Sequence, residues 1–161
     1  MILPAVVSLL IILFNPHSAT TSPSVDTPPG TVNKVIILQL INTARKKGCQ
    51  CGEIYYSPAA PLSWNDHLEQ AALKHTIEMA DKNMFSHISV NGADPGSRIS
   101  ASGYNWKAFG ENIAMGYPDE QKVVAGWLKS PGHCKNIMNP KYKEMGVARV
   151  GAYWTQDFGD Q

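Results

Sequence analysis

The feature that most constrains this chain is one acidic residue, Glu111, inside an otherwise apolar stretch. Residues 109–115 carry apolar side chains in the pattern of a strand with one buried face. A buried carboxylate is unfavourable there unless a partner pairs with it. Two histidines can supply that partner: His87, at the end of a helical stretch, and His133, which follows a Ser-Pro-Gly sequence. We therefore predict that His87, Glu111 and His133 converge on one polar cleft.

Length and composition indicate one ordinary folded domain. The chain has 161 residues, of which 43% are hydrophobic and 17% are charged. These values are typical of a globular core and argue against disorder. The formal net charge is +1 with acids and bases intermixed, so the chain lacks the basic footprint of a nucleic-acid-binding protein. We predict no nucleic-acid partner and a monomer.

The N-terminus has the pattern of an export signal. Residues 2–14 are almost wholly apolar, which is too short for a membrane-spanning helix and typical of a signal-peptide core. We predict a signal peptide over residues 1–19. The alternative is a buried N-terminal helix, which Pro4 and the polar stretch that follows disfavour. Residues 20–30, rich in Ser, Thr and Pro, predict a disordered linker, so the domain spans 31–161 without a transmembrane segment.

Within that domain the patterns predict helices first. One helix begins near residue 31 and ends at a basic run before Gly48. Residues 49–61 read as an irregular connection. A second helix is capped by Asn65 or Asp66, buries one face, and ends near residue 83.

The second half mixes short helices with strands. A short helix is predicted over 97–101, a longer one over 119–129 with Asp119 as its cap, and another short turn over 133–138 after Pro131-Gly132. Residues 144–150 and 152–158 predict two strands about Gly151. Because no regular βαβ alternation appears, we predict an α+β fold or a layered sandwich.

The chain contains three cysteines. In an exported protein, Cys134 can form a disulfide with Cys49 or with Cys51. A nucleophilic role has less support, because no nucleophile-elbow or oxyanion pattern surrounds Cys134 or the serines near the histidines. We therefore expect Cys134 to be structural.

Six motifs in order resemble the CAP superfamily, the group of cysteine-rich secretory, antigen 5 and plant pathogenesis-related group-one proteins. The similarity covers roughly residues 35–159 and is strongest to the compact bacterial branch called SCP-like. It implies a single-domain, three-layer α-β-α sandwich and a secreted protein. The motifs are Phe85-Ser86-His87, Arg98 with Ala101-Ser102-Gly103-Tyr104, Gly110-Glu111-Asn112-Ile113-Ala114, the segment from Trp127 to His133, Asn136-Ile137-Met138 and Tyr153-Trp154-Thr155-Gln156-Asp157-Phe158.

The family cleft holds two histidines and two glutamates and takes a divalent metal. His87 and Glu111 match the first of each kind. Ser130 stands at the second glutamate, and Tyr153 or its neighbour Trp154 stands at the second histidine. The resemblance implies that His133 refills the cleft, which makes His87, Glu111 and His133 the candidate set for Zn²⁺ or another divalent metal.

The resemblance also implies further roles. It implies a Cys49–Cys134 disulfide that leaves Cys51 free or paired between molecules. It also implies ligand-binding roles for four residues that match positions in the family cleft: Asn112, Ser130, Tyr153 and Gln156. The expected function is an extracellular or cell-envelope module that binds a small ligand, a lipid or an envelope component. The alternative is a metal-assisted, protease-like hydrolase that uses His87, Glu111 and His133 as catalytic candidates.

Overall fold

Helices and strands are interspersed irregularly along residues 31–161, the part of the chain that the computed structural model describes. The predicted signal peptide (1–19) and linker (20–30) lie outside these residues. In chain order the elements are α1 (Lys34–Lys47), β1 (Cys49–Cys51), β2 (Ile54–Tyr56), β3 (Ser63–Trp64), α2 (Asp66–Lys82), α3 (Pro95–Ala101), β4 (Ala108–Met115), α4 (Glu120–Lys129), α5 (Pro131–Met138), β5 (Glu144–Val150) and β6 (Tyr153–Asp160).

One four-stranded sheet separates two helical layers. Its strand order is β3-β5-β6-β4, with β3 parallel to β5 and the other pairs antiparallel, so β4 is an edge strand. Helices α2 and α3 pack on one face, and α1, α4 and α5 pack on the other. A separate apolar cluster lies on each face. The predicted three-layer α-β-α arrangement is confirmed.

The helix limits follow the capping signals in the sequence. The side chain of Asn65 accepts hydrogen bonds from two backbone amides in the first turn of α2, and Asn83 ends that helix in the left-handed conformation. Asp119 caps α4, and its side chain accepts a hydrogen bond from the backbone amide of Lys122. None of the helices built from residues 31–161 is both long and apolar enough to cross a bilayer.

Two local predictions were wrong. The stretch predicted as irregular begins with a hairpin, in which Cys49 pairs with Tyr56 and Cys51 with Ile54. Its strands have three residues each, too few to show a period in the sequence. The turn predicted over 133–138 is a helix of eight residues that starts at Pro131, because proline fits the first helical position.

The disulfide joins Cys51 to Cys134, so the prediction of Cys49–Cys134 was wrong. The two Cα atoms are 5.4 Å apart, within the usual range for a bridge. Cys51 is 4% exposed and Cys134 is fully buried, whereas Cys49 is a half-buried free cysteine. Cys51 is paired because it lies at the more deeply buried end of β1.

Candidate functional site

Glu111 lies in the middle of β4, and its side chain is only 1% exposed. Both carboxylate oxygens have partners. Oε1 lies 2.7 Å from Nδ1 of His87, and Oε2 accepts a hydrogen bond of 2.5 Å from Nη2 of Arg98. The structure therefore brings His87 and Glu111 together, and the partners that a buried carboxylate requires are one histidine and one arginine.

Arg98 is the functional residue that reasoning from the sequence missed. It lies on α3, and its Nη1 also donates to the carbonyl oxygens of His87 and Ala93, at 2.9 and 3.0 Å. One guanidinium thus fixes both the carboxylate and the backbone that carries His87. The signal in the sequence was Glu111 itself, because a buried carboxylate calls for a cation.

His133 lies near the start of α5, on the helical layer opposite α3, and is half-buried. Burial lowers its pKa, and the charge of nearby His87 lowers that pKa further. A base with a depressed pKa in the folded state stabilises the fold above its ordinary pKa of 6.5 and loses that contribution as the pH falls. The cleft at neutral pH therefore combines an uncharged His133 with the His87–Glu111–Arg98 group.

Asp157 is a second buried carboxyl group at this site. It lies opposite Glu111 in the register between β4 and β6, and it is fully buried. Neither carboxyl oxygen has a hydrogen-bonding partner among the described residues. Burial first, and then the charge of Glu111, raise the pKa of Asp157 well above its ordinary value, although Arg98 opposes this. Burial and the neighbouring carboxyl group therefore favour the protonated form of Asp157, and the carboxyl group in contact with Arg98 is that of Glu111.

We expect Asp157→Asn to stabilise the protein at neutral and alkaline pH. An acid whose folded-state pKa is raised stabilises the fold below its ordinary pKa of 3.8, and this contribution is lost as the pH rises through the folded pKa. The amide cannot ionise, so the gain should be small at pH 4 and reach about 1–3 kcal/mol in free energy of unfolding at pH 8. Urea unfolding at several pH values measures it.

The matched control is Asp81→Asn on the exposed surface of α2, which should change stability by less than about 0.5 kcal/mol at every pH. A gain for Asp157→Asn that stays constant from pH 4 to pH 8 would contradict the assignment of a protonated Asp157.

An apolar cavity of about 300 Å³ lies beside the polar cleft. Its lining includes His133 and Ser130, so the cavity and the cleft share one rim. The indole Nε1 of Trp127, another lining residue, is buried without a hydrogen-bonding partner among the described residues. The other lining residues are Phe85, Ile113, Ala114, Met115, Tyr117 and Gly126.

The four residues predicted to bind ligand occupy different places. Ser130 lines the cavity. Asn112 and Gln156 are fully buried, and Nδ2 of Asn112 donates to Oε1 of Gln156 at 3.1 Å, so both are internal hydrogen-bonding groups. Tyr153 donates its hydroxyl to the side-chain oxygen of Asn83 at 3.1 Å. Of the four, Ser130 is the one that the described structure places at the cavity.

Glu111, the carboxylate of the predicted metal set, already has protein partners in the structure. Both oxygens of Glu111 are already used, and one of them is neutralised by Arg98. Among the described residues, the group with metal-ligand spacing is the trio of Cys49, Cys51 and Cys134, of which two are bridged. The metal set of His87, Glu111 and His133 stays a prediction.

Similarity to known proteins is consistent with this architecture. The model of the CAP family, described as the cysteine-rich secretory protein family, matches residues 38–158. Protein YkwD of Bacillus subtilis (strain 168) is 35% identical over 124 residues, which cover 76% of this chain and 45% of that protein. The membrane protein YlbC of the same strain is 33% identical over 128 residues, covering 80% and 34%. The chain thus spans less than half the length of these relatives.

Two solved structures have the same fold. An extracellular protein containing a SCP domain from Bacillus anthracis superposes with a TM-score of 0.71 at 29% identity, covering 79% of this chain and 40% of that one. An outer surface protein from Borrelia burgdorferi superposes with a TM-score of 0.64 at 20% identity, covering 82% and 98%. At 20% identity the second likeness concerns the fold alone.

Proposed function

The chain belongs to the CAP family of cysteine-rich secretory proteins, as its motifs predicted, and we propose that it is an extracellular module that binds a small amphipathic ligand. The observation that carries this proposal is the apolar cavity whose rim is formed by polar residues of the cleft. An extracellular location is supported by the Bacillus anthracis neighbour, which is described as extracellular.

The cavity favours a ligand with one apolar part. Its volume of about 300 Å³ lies at the lower end of the range for small-molecule sites. Aromatic and aliphatic side chains form most of its wall. Tyr117 packs directly against Gly126, where a β-carbon would collide with the phenol ring, so glycine allows the tyrosine to form this part of the wall. A short acyl or aryl group fits such a space.

The rim favours a polar group at the other end of the ligand. His133 is uncharged at neutral pH and offers both a donor and an acceptor. Beyond His133, the cleft continues to the pair of His87 and Glu111. The predicted class of ligand is therefore an acyl or aryl compound with a hydrogen-bonding head group.

We expect the protein to bind the fluorescent probe 1-anilinonaphthalene-8-sulfonate saturably, and decanol to displace the probe. Ser130→Trp should lower the affinity for the probe at least about tenfold, because the new side chain fills the mouth of the cavity, and tenfold corresponds to about 1.4 kcal/mol. Ser130 makes no side-chain capping bond to α5, so this substitution should leave the fold intact. A fluorescence titration measures both effects.

Ser130→Ala is the matched control and should bind the probe within about twofold of the wild type, less than about 1 kcal/mol. Equal binding by Ser130→Trp and the wild type would place the probe elsewhere. An absence of saturable binding in the wild type would refute the proposal.

A second candidate, general-base hydrolysis, is favoured by one observation. Nδ1 of His87 is held by Glu111, and the histidine side chain is 48% exposed, so its Nε2 is the ring nitrogen left for a water molecule. We expect any hydrolysis of p-nitrophenyl acetate by this site to fall at least about 100-fold in His87→Asn. Stopped-flow absorbance measures the rate, and an unchanged rate in the variant would exclude His87 as the base.

A further inference from the structure

Three sulfur atoms meet where the β1–β2 hairpin lies against α5. The side chains of Cys49 and Cys51 point to the same face of β1, because alternate residues of a strand share a face. Cys134 of α5 lies beneath both of them. The three sulfur atoms lie within 4.8 Å of one another.

The sulfur atom of Cys49 lies beside the disulfide of the other two cysteines. Sγ of Cys49 lies 3.5 Å from Sγ of Cys134, close to van der Waals contact between sulfur atoms. Cys49 is a half-buried free cysteine, and its other polar neighbour is the carbonyl oxygen of Gln50 at 3.8 Å. Two independent observations therefore coincide: a free thiol touches a bridged sulfur, and the strand geometry directs both β1 cysteines to it.

We propose that Cys49, Cys51 and Cys134 form an intramolecular thiol–disulfide exchange site, in which Cys134 alternates between the two cysteines of β1. The thiol of Cys49 loses its proton to solvent, and the thiolate attacks Sγ of Cys134. The Cys49–Cys134 bond forms as the Cys51–Cys134 bond breaks. The electron pair leaves on Sγ of Cys51, which takes up a proton, so no net oxidation occurs and no external oxidant is required.

Chain entropy does not distinguish the two bridges. The Cys51–Cys134 bridge closes a separation of 83 residues, and a Cys49–Cys134 bridge closes one of 85. Loop-closure entropy depends only on the logarithm of this length. The cysteine released in each case can stay in its position in β1, because a neutral thiol behaves as a small hydrophobic group and is not costly to bury. Loop closure therefore favours neither bridge, and in the proposed exchange both isomers are populated.

The exchange changes which cysteine of β1 is covalently bonded to α5. Cys134 follows His133 directly, and the first turn of α5 lies against the cavity rim at Ser130. The hairpin turn also reaches this helix, since a β-carbon at Gly52 would meet the ring of Pro131 at 3.1 Å. Alternation between the two disulfides thus shifts the position of a covalent restraint that lies next to the polar cleft. The cysteine left free is the position open to modification by an external disulfide or maleimide.

The test uses the purified, oxidised full chain, incubated at pH 8 without reductant. Free thiols are trapped with N-ethylmaleimide after acid quenching. The protein is then reduced, alkylated with iodoacetamide and cleaved with trypsin. Residues 48–74 lie between tryptic sites, so one peptide carries both β1 cysteines, and fragment ions on either side of Gln50 tell which one bears maleimide. We expect maleimide on both, in a ratio within about tenfold of unity that tenfold dilution does not change.

Maleimide confined to Cys49, with less than about 1% on Cys51 after a day, would overturn the proposal. A ratio that changes with protein concentration would also overturn it, because the exchange would then be intermolecular.

The cysteine variants give a second, independent readout. Cys51→Ala should form the Cys49–Cys134 bridge in glutathione buffer and melt within about 3 °C of the wild type. Cys134→Ala removes both bridges and should melt roughly 10 °C lower. Cys49→Ala should retain the Cys51–Cys134 bridge and show no trapped thiol. A folded Cys51→Ala protein that keeps two free thiols would overturn the proposal, and if that variant does not fold, the wild-type trapping decides.

Discussion

Replacing Arg45 with Ala is expected to lower the free energy of unfolding by about 3–5 kcal/mol. Arg45 is 0% exposed, and burial lowers its pKa to about 10, so the guanidinium stays charged at neutral pH. Its partners are backbone carbonyl oxygens: Nε donates to Ala60 at 2.7 Å, Nη1 donates to Ile137 at 2.7 Å and Asn139 at 3.0 Å, and Nη2 donates to Tyr142 at 3.3 Å. Removing the side chain leaves these acceptors buried and unpaired, and it opens a cavity.

The carbonyl partners explain why Arg45 is expected to matter more than other basic residues of α1. Two of them, on Ile137 and Asn139, lie at the C-terminal end of α5, which a cation stabilises. Lys46→Ala, on the exposed face of the same helix, is the control and should change stability by less than about 0.5 kcal/mol. Urea unfolding compares them, and a loss below about 1 kcal/mol for Arg45→Ala would contradict the role assigned to Arg45.

Replacing Glu111 with Ala is expected to lower the free energy of unfolding by about 3 kcal/mol, because it leaves the charge of Arg98 without its anion. The side chain of Arg98 is 9% exposed, so water screens it poorly. His87→Ala should cost less than about 1 kcal/mol, since the histidine side chain is 48% exposed. Comparable losses in the two variants would argue against the Arg98–Glu111 pair as the stabilising contact.

The effects of Glu111→Ala and Asp157→Asn on the free energy of unfolding are expected to be non-additive. In Glu111→Ala burial still raises the pKa of Asp157, but the charge of Glu111 that adds to this effect is gone, and Arg98, which lowers that pKa, remains. Asp157 can then ionise and face Arg98 in place of Glu111. We therefore expect Asp157→Asn to destabilise the Glu111→Ala protein, although it stabilises the wild type. A double-mutant cycle in urea measures the coupling, and the same sign in both backgrounds would contradict it.

Much of the fold was predictable because its signals are local. The apolar face of α2, its Asn65 cap and its end at Asn83 all follow from residues within one helix. The cap of α4 and the two final strands are local in the same sense. The six motifs in order identified the family, and with it the layered sandwich. Short elements were not predicted, because a strand of three residues such as β1 is too short to show a hydrophobic periodicity.

The candidate site was only half predictable. The apolar surroundings of Glu111 indicated that its carboxylate would need partners, and His87 is one of them. Arg98 was present in a motif, but its distance from Glu111 in space depends on how α3 packs beside β4. The cavity beside His133 is likewise a property of packed elements, because its wall combines residues of β4, α4 and α5 with segments between elements.

The sequence by itself determined where most helices and strands form, which faces are apolar, and that one buried carboxylate must be paired. Tertiary structure alone decided the partners. Arg45 stands in a basic run at the end of α1, yet it is buried because the carbonyl groups of residues 92 and 94 positions away converge on it. Cys49 and Cys51 differ by two positions, and only the packing of β1 against α5 brings their sulfur atoms to Cys134, which is bridged to Cys51 in this structure. Capping and periodicity act within a few residues, whereas pairing depends on which surfaces meet after the chain has folded.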